Sequence, residues 1–248
     1  MKIRTFYPLS DEDNEKINKK IDRSEFEPLL DGKKEVREIT ESWEEILASI
    51  DDGTYRQKYK IGNFKPLDLG SEGIIRMQIA GFDAEPLADG SGKAAITWIA
   101  MDTLKTAHRM NPVYKEGKVG TGALGGWKES EMRRYLEETV KPLIPVSVRN
   151  SIKLVKKYSL SAYENIAGYV YDEETEDYLW IPSAMEIDMP DESGDLEVYH
   201  ADFDVDYSIW LDSCSWLRSV GKIGSFYTSE GRWESAKFNL AVTLCFCT

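Results

Sequence analysis

Apolar positions recur at helical spacing in two stretches. Trp43, Ile46, Leu47 and Ile50 fall on one side of a helix, and Ser42-Trp-Glu-Glu45 has the spacing of a capping box. Asp51-Asp52-Gly53 predicts the stop of that helix. Met132, Tyr135, Leu136 and Val140 form a second stripe, which predicts a helix opening at Trp127. Glu129 and Glu131 would sit in its first turn, where the helix dipole favours them. Arg133 and Arg134 lie off the stripe and are expected to face water or a neighbouring loop. Pro142 and Pro145 punctuate the end, and 146–151 adds a helical turn.

Other stretches alternate or run apolar at strand spacing. Segments 74–82 and 94–101 are rich in β-branched and apolar residues and flank Asp89-Gly-Ser-Gly92, which predicts an antiparallel hairpin. Segment 152–159 alternates enough to be a strand, and 178–183 is a short apolar strand stopped at Pro182. Segments 207–210 and 215–218 are two further aromatic-bearing pieces. Segments 225–228 and 232–238 flank a Ser-Glu-Gly231 turn. In the closing run, Leu240, Val242, Leu244 and Phe246 share one face, while Ala241, Thr243, Cys245 and Cys247 share the other. Small residues on the second face predict a central strand covered on both sides.

The first 40 residues are polar, with Ile17 and Ile21 marking a short helix at most. They read as a charged appendage to one domain spanning 41–248. The length of 248 residues suits that division. No apolar run approaches the ~20 residues needed to cross a bilayer, so membrane insertion is not expected. The opening Met-Lys-Ile-Arg-Thr-Phe-Tyr-Pro lacks a secretory signal's apolar core. The expected location is the cytoplasm or a phage particle, with display at a surface as the alternative.

Charge changes the picture more than composition does. The chain holds 44 Asp and Glu against 31 Lys and Arg, a formal charge of −13. That balance argues against nucleic acid as a partner held by bulk charge. The charge is concentrated: 161–212 holds 16 acidic residues and no Lys or Arg, while 101–160 holds 12 basic and 6 acidic ones. The acidic block could dock on its basic neighbours, but the expected reading is a solvated loop face.

Catalytic and metal signatures are weak. Asp202-x-Asp204-x-Asp206 invites calcium, but an EF-hand loop needs Gly and Glu where Tyr207 and Ser213 stand. An irregular calcium site in 161–212 stays open, and no metal ligand or cofactor is expected. Segment 117–126 has five glycines and must be a loop. Gly120-x-Gly122-x-x-Gly125 within it matches a dinucleotide fingerprint in spacing alone, without the preceding apolar strand. No carboxylate stands out as a raised-pKa acid for glycoside hydrolysis. Neither His108 nor His200 is spaced from Cys214 in any nucleophile signature. Cys214, Cys245 and Cys247 are expected to be packed rather than bonded.

Six motifs occur in order: Trp98 within Ile-Thr-Trp-Ile, Gly126-Trp-Lys-Glu-Ser-Glu-Met-Arg-Arg-Tyr-Leu136, Leu143-Ile-Pro, Trp180-Ile-Pro-Ser183, Ser215-Trp-Leu-Arg-Ser219 and Cys245-Phe-Cys-Thr248. Over roughly 41–248 the chain resembles a domain family of unknown function from gut bacteria and their prophages, with a C-type-lectin-like fold. Its C-terminal segment is similar to the variable proteins of diversity-generating retroelements. There a Trp-Leu-Arg-Ser stretch precedes a hypervariable ligand-binding segment.

The resemblance implies an α+β fold: a small twisted antiparallel sheet, two helices, long irregular loops and domain ends close together. It implies a scaffold role for Trp216, Leu217, Arg218 and Ser219. It implies ligand contact by Lys222, Ser225, Tyr227, Arg232, Trp233, Glu234, Lys237 and Asn239, with Asp212 and Ser213 on the rim. The function implied is a non-catalytic display protein, of phage-tail or surface-adhesin type, that recognises a protein or glycan. Homo-oligomer or virion assembly fits the same setting. The alternatives are an oxidase or hydrolase on a scaffold like that of formylglycine-generating enzymes, and a structural tail protein. Calcium-dependent sugar binding is not implied, because Glu-Pro-Asn and Trp-Asn-Asp motifs are absent. Cys245 stands where relatives carry Gly, which predicts altered packing of the last strand.

Overall fold

The computed structural model describes residues 36–112, 114–115, 118–119, 122–162, 170–187, 213–222 and 225–248. Its helices are α1 (Trp43–Asp51), α2 (Tyr55–Lys58), α3 (Glu131–Tyr135) and α4 (Val146–Arg149). Its strands are β1 (Phe64–Asp68), β2 (Ile74–Phe82), β3 (Ile96–Ala100), β4 (Tyr114–Lys115), β5 (Lys118–Val119), β6 (Val155–Ala162), β7 (Val170–Asp177), β8 (Leu179–Trp180), β9 (Trp216–Lys222), β10 (Ser225–Thr228), β11 (Trp233–Ser235) and β12 (Cys245–Cys247). The paired strands are antiparallel throughout, with few helices, so the chain is α+β.

A five-stranded sheet in the order β1-β2-β3-β12-β8 carries the core. The expected β2–β3 hairpin is present, with Ile79 opposite Trp98 and a register shift before Gly81. The C-terminal strand enters between β3 and β8, so it is interior as its two apolar faces predict. Phe246 lies opposite Trp98, and Cys245 lies opposite Trp180. Cys245, Phe246 and Cys247 are all fully buried. Cys245 therefore fits inside a covered strand despite its size.

Helix α1 starts and stops where its sequence says. Ser42 Oγ accepts from the Glu45 N–H, and the Glu45 carboxylate accepts from the Ser42 N–H, closing the capping box. The helix then leans on the sheet through Trp43. Its ring meets Trp98 edge-on with centroids 5.0 Å apart and lies 6.4 Å from Phe246. Residue 43 and residue 246 thus share one aromatic cluster.

Three expectations need correction. The second helix does not open at Trp127: it opens at Glu131, with Ser130 as the N-cap accepting from the Arg133 N–H. Residues 122–129 are turns, with Gly125 and Gly126 at positive φ, and Trp127 is instead a buried side chain donating to Asp177 Oδ2 at 2.9 Å. Glu129 accordingly lies ahead of the first turn. Next, the packed unit begins before residue 41. Ile39 is buried and its N–H donates to the Phe64 carbonyl, while Phe64 donates back to Arg37. The appendage reading for 1–35 lies outside the described residues.

The third correction concerns the acidic block. Its described parts, 161–162 at the end of β6 and 170–187, are not a solvated loop. β7 pairs with β6 over eight residue pairs, setting Glu176 opposite Lys156 and Glu174 opposite Tyr158. Glu173 meets Lys128 at 3.1 Å, Glu174 meets Lys156 at 3.2 Å, and Asp177 meets Arg133 at 2.5 Å. The block docks on the basic segments, because burial beside them is far less costly when each carboxylate gains a cation. Arg133 is one of those cations, reaching the neighbouring strand. The calcium-inviting aspartates 202, 204 and 206 lie outside the described residues, as does 207–210.

Candidate functional site

The proposed binding segment is built on a second sheet in the order β11-β10-β9. β9 holds the Trp-Leu-Arg-Ser stretch, and all four of its side chains are buried. Trp216 packs edge-on with Phe226 of β10 and donates its Nε1–H to the His108 carbonyl at 2.9 Å. Ser219 Oγ accepts from the Ala184 N–H at 3.0 Å. Such contacts leave Trp216 to Ser219 nothing to offer a ligand; they fasten the strand.

Arg218 is the main fastening. It is 1% exposed, and its guanidinium finds five acceptors. Nε donates to Ser159 Oγ at 2.9 Å, Nη1 to the Ile181 carbonyl at 2.9 Å and to Glu186 Oε2 at 2.5 Å. Nη2 donates to Glu186 Oε1 at 2.6 Å and, at 3.4 Å, to the Tyr158 carbonyl. Lys157 completes the group: its Nζ lies 2.5 Å from Glu186 Oε1 and 2.7 Å from Glu85 Oε1, over the Trp180 ring at 4.6 Å. Two cations and two carboxylates are thus buried together, drawn from β9, β6, the loop before β3 and the turn after β8.

The environment sets their ionisation. Burial disfavours the Glu186 carboxylate, but the Arg218 and Lys157 charges and hydrogen bonds outweigh it and lower its pKa to about 2. Burial also opposes the charge on Lys157, yet Glu186 and Glu85 hold its pKa above the ordinary value. Glu85 goes the other way: desolvation raises its pKa, and Lys157 only partly offsets that. Close by, burial pushes the Cys245 and Cys247 thiols well up. Neither is a ready thiolate nucleophile.

Around this frame the expected contact residues divide. Ser213, Arg232, Lys237 and Asn239 are exposed, and Ser225, Trp233 and Glu234 are half-buried. Arg232 bridges Glu230 at 2.7 Å and Glu234 at 3.1 Å. Trp233 leans on Tyr227 with centroids 4.5 Å apart. Ser225 pairs through its backbone with Lys222 and Ser235. Lys237 Nζ lies 5.3 Å from the ring centroid of Phe238.

Tyr227 differs from the expected display: at 1% exposure its ring supports Trp233 from beneath. Asp212 lies outside the described residues, and only the backbone of Lys222 is described. Sequence reasoning missed Phe238, a large apolar side chain 45% exposed beside Lys237, and Glu230, which fixes Arg232. An aromatic between Lys237 and Asn239, in a segment read for polar display, was the available signal.

Cys214 is half-buried rather than packed away, at positive φ, and accepts a long contact from Arg232 Nη2 at 3.8 Å. Among the described residues no cluster of three or more His, Cys, Asp or Glu is placed to hold a metal ion. No helix among them is long and apolar enough to cross a membrane. Comparison with family models, with curated proteins and with solved structures found no match.

Proposed function

We propose that this chain is a non-catalytic ligand-binding module on a C-type-lectin-like frame. It presents the β10–β11 turn and the run after it to a protein or glycan, in the manner of a phage-tail or surface adhesin. One observation carries the reading: within a single segment the side chains split into a locked set and an offered set. Trp216 to Ser219 are buried and fully engaged, whereas Arg232, Lys237, Phe238 and Asn239 stand exposed a few residues later. Rigid support beneath adaptable polar and aromatic contacts is what display surfaces require. The aromatic contact between residues 43 and 246 fits a domain whose ends meet.

Burial of Cys245 and Cys247 gives no support to cysteine-based oxidation on this scaffold. The test is binding to a printed glycan array and a displayed peptide library by the wild type and by the triple variant Arg232→Ser, Trp233→Ser, Lys237→Ser. The expected result is saturable binding to at least one probe, weakened at least about tenfold in the variant, since a few face residues carry most binding energy. Binding that is unchanged in the variant removes this face from the account. No binding by the wild type to either set removes the reading.

A further inference from the structure

A cavity outside the proposed display face shares no lining residue with it. Its volume is about 290 Å³, and it opens between the end of α3 and the end of β7. Its helical wall is unusual: α3 runs without a break into a π-helical turn, Leu136–Val140. Such turns are rare and recur at functional sites. Glu137 and Glu138 of this turn line the same cavity as Arg134. Leu154, Leu179 and Tyr178 supply the apolar part of the lining.

The charges lining the cavity are not all spoken for. Arg133 is taken by Asp177 and by the Glu176 carbonyl, and Glu137 is taken by Lys141. Lys141 also covers the Tyr178 ring at 3.5 Å. Arg134, Glu138 and Glu176 make no ion pair or side-chain hydrogen bond with another described residue. Three exposed charges, one positive and two negative, with no ion-pair partner among the described residues, therefore line an opening of small-molecule size.

We propose that this cavity binds a small ligand carrying two cations and one carboxylate, the charge pattern of a free basic amino acid. The carboxylate meets Arg134. The α-ammonium and the side-chain cation meet Glu138 and Glu176. The aliphatic stem lies along Leu154 and Leu179. The volume suits such a ligand and excludes a folded partner.

The experiment is a calorimetric or NMR titration of the full chain with L-lysine. Saturable binding near ~1 mM is expected, because three exposed charge pairs and a short apolar stem add up to only a few kcal/mol. Norleucine, cadaverine and N-α-acetyl-lysine each lack one of the three charges and should bind about threefold or more weaker. N-α-acetyl-lysine also mimics the C-terminal lysine of a peptide, so binding as tight as free lysine would assign the site to a chain end and overturn the free amino acid. Arg134→Gln and the double variant Glu138→Gln, Glu176→Gln should each weaken lysine without shifting the melting temperature. All three positions are exposed, so folding is not at risk. No saturable signal up to about 10 mM, equal binding of L-glutamate, or unchanged affinity in both variants overturns the proposal.

Discussion

Glu186 and Arg218 meet in a two-pronged ion pair, 2.5 and 2.6 Å long, with each side chain 1% exposed. The pair joins the turn after β8 to the strand that opens the proposed display segment. Planar, bidentate geometry is what a guanidinium offers and an ammonium does not. Arg218→Lys should therefore destabilise the fold nearly as much as Arg218→Met, which strands Glu186 without its main partner. Removing one member of a buried pair costs about 3–5 kcal/mol. Urea unfolding followed by tryptophan fluorescence measures it. A loss under about 1 kcal/mol in Arg218→Met would contradict the fastening role.

The same cluster predicts a pH dependence with two signs. Glu186 has a depressed pKa of about 2, so its contribution is present above its ordinary value of 4.5 and lost as pH falls towards 2. Glu85 has a raised pKa, so its contribution is present at low pH and lost as pH rises through that raised value. Glu186→Gln should cost stability at pH 7, on the order of 3 kcal/mol from a shift of that size, with the gap to wild type closing between pH 4.5 and 2. Glu85→Gln should be much milder at pH 7, since it removes a charge that burial opposes. Denaturation series across pH on the two variants separate the cases. Equal losses at pH 7 would contradict the assigned ionisation.

Thiol accessibility tests the packing of the last strand. Cys245 and Cys247 are buried in an interior strand, and Cys214 is half-buried near the turn. A disulfide-exchange reagent should label one thiol in the native protein and three in denaturant. Fast labelling of a second native thiol would mean that β12 is open.

The aromatic cluster ties the start of the packed unit to its end. Phe246→Ala removes a fully buried ring from against Trp98 and Trp43, and should cost about 3–5 kcal/mol, read as a lower urea midpoint. Trp43→Phe, which keeps an apolar ring but loses the donor to the Pro66 carbonyl, should cost less.

The legible parts of the sequence were those where local chemistry and long-range packing agree. The α1 capping box, the β2–β3 hairpin and the two-faced closing strand all declare themselves within a few residues. The α3 start differs from the sequence expectation because Trp127 belongs to the apolar count but not to the helix: its indole donates to Asp177, 50 residues distant. The acidic block departs from its sequence expectation for a related reason. Composition records its charge but not the cations of β6, α3 and β9 that meet it in space. One part of that cluster was readable: Ser183-x-x-Glu186 has capping-box spacing, and the two residues do exchange hydrogen bonds. In the segment proposed as the face, the burial of Trp216 to Ser219 fits the scaffold role that the resemblance implies for them. Which side chains the segment exposes was not legible, since Tyr227 and Phe238 exchange the roles that their polarity suggests.

The proposed function requires a locked frame beneath a face that is free to change. A library randomised at Ser225, Arg232, Glu234, Lys237 and Asn239, sorted for protease resistance, measures this most directly. The account predicts that most members stay folded, because surface substitutions away from special contacts shift stability by only about 0.5 kcal/mol. A parallel library at Trp216, Leu217, Arg218 and Ser219 should be almost entirely cleaved. Comparable survival of the two libraries would contradict the division between frame and face.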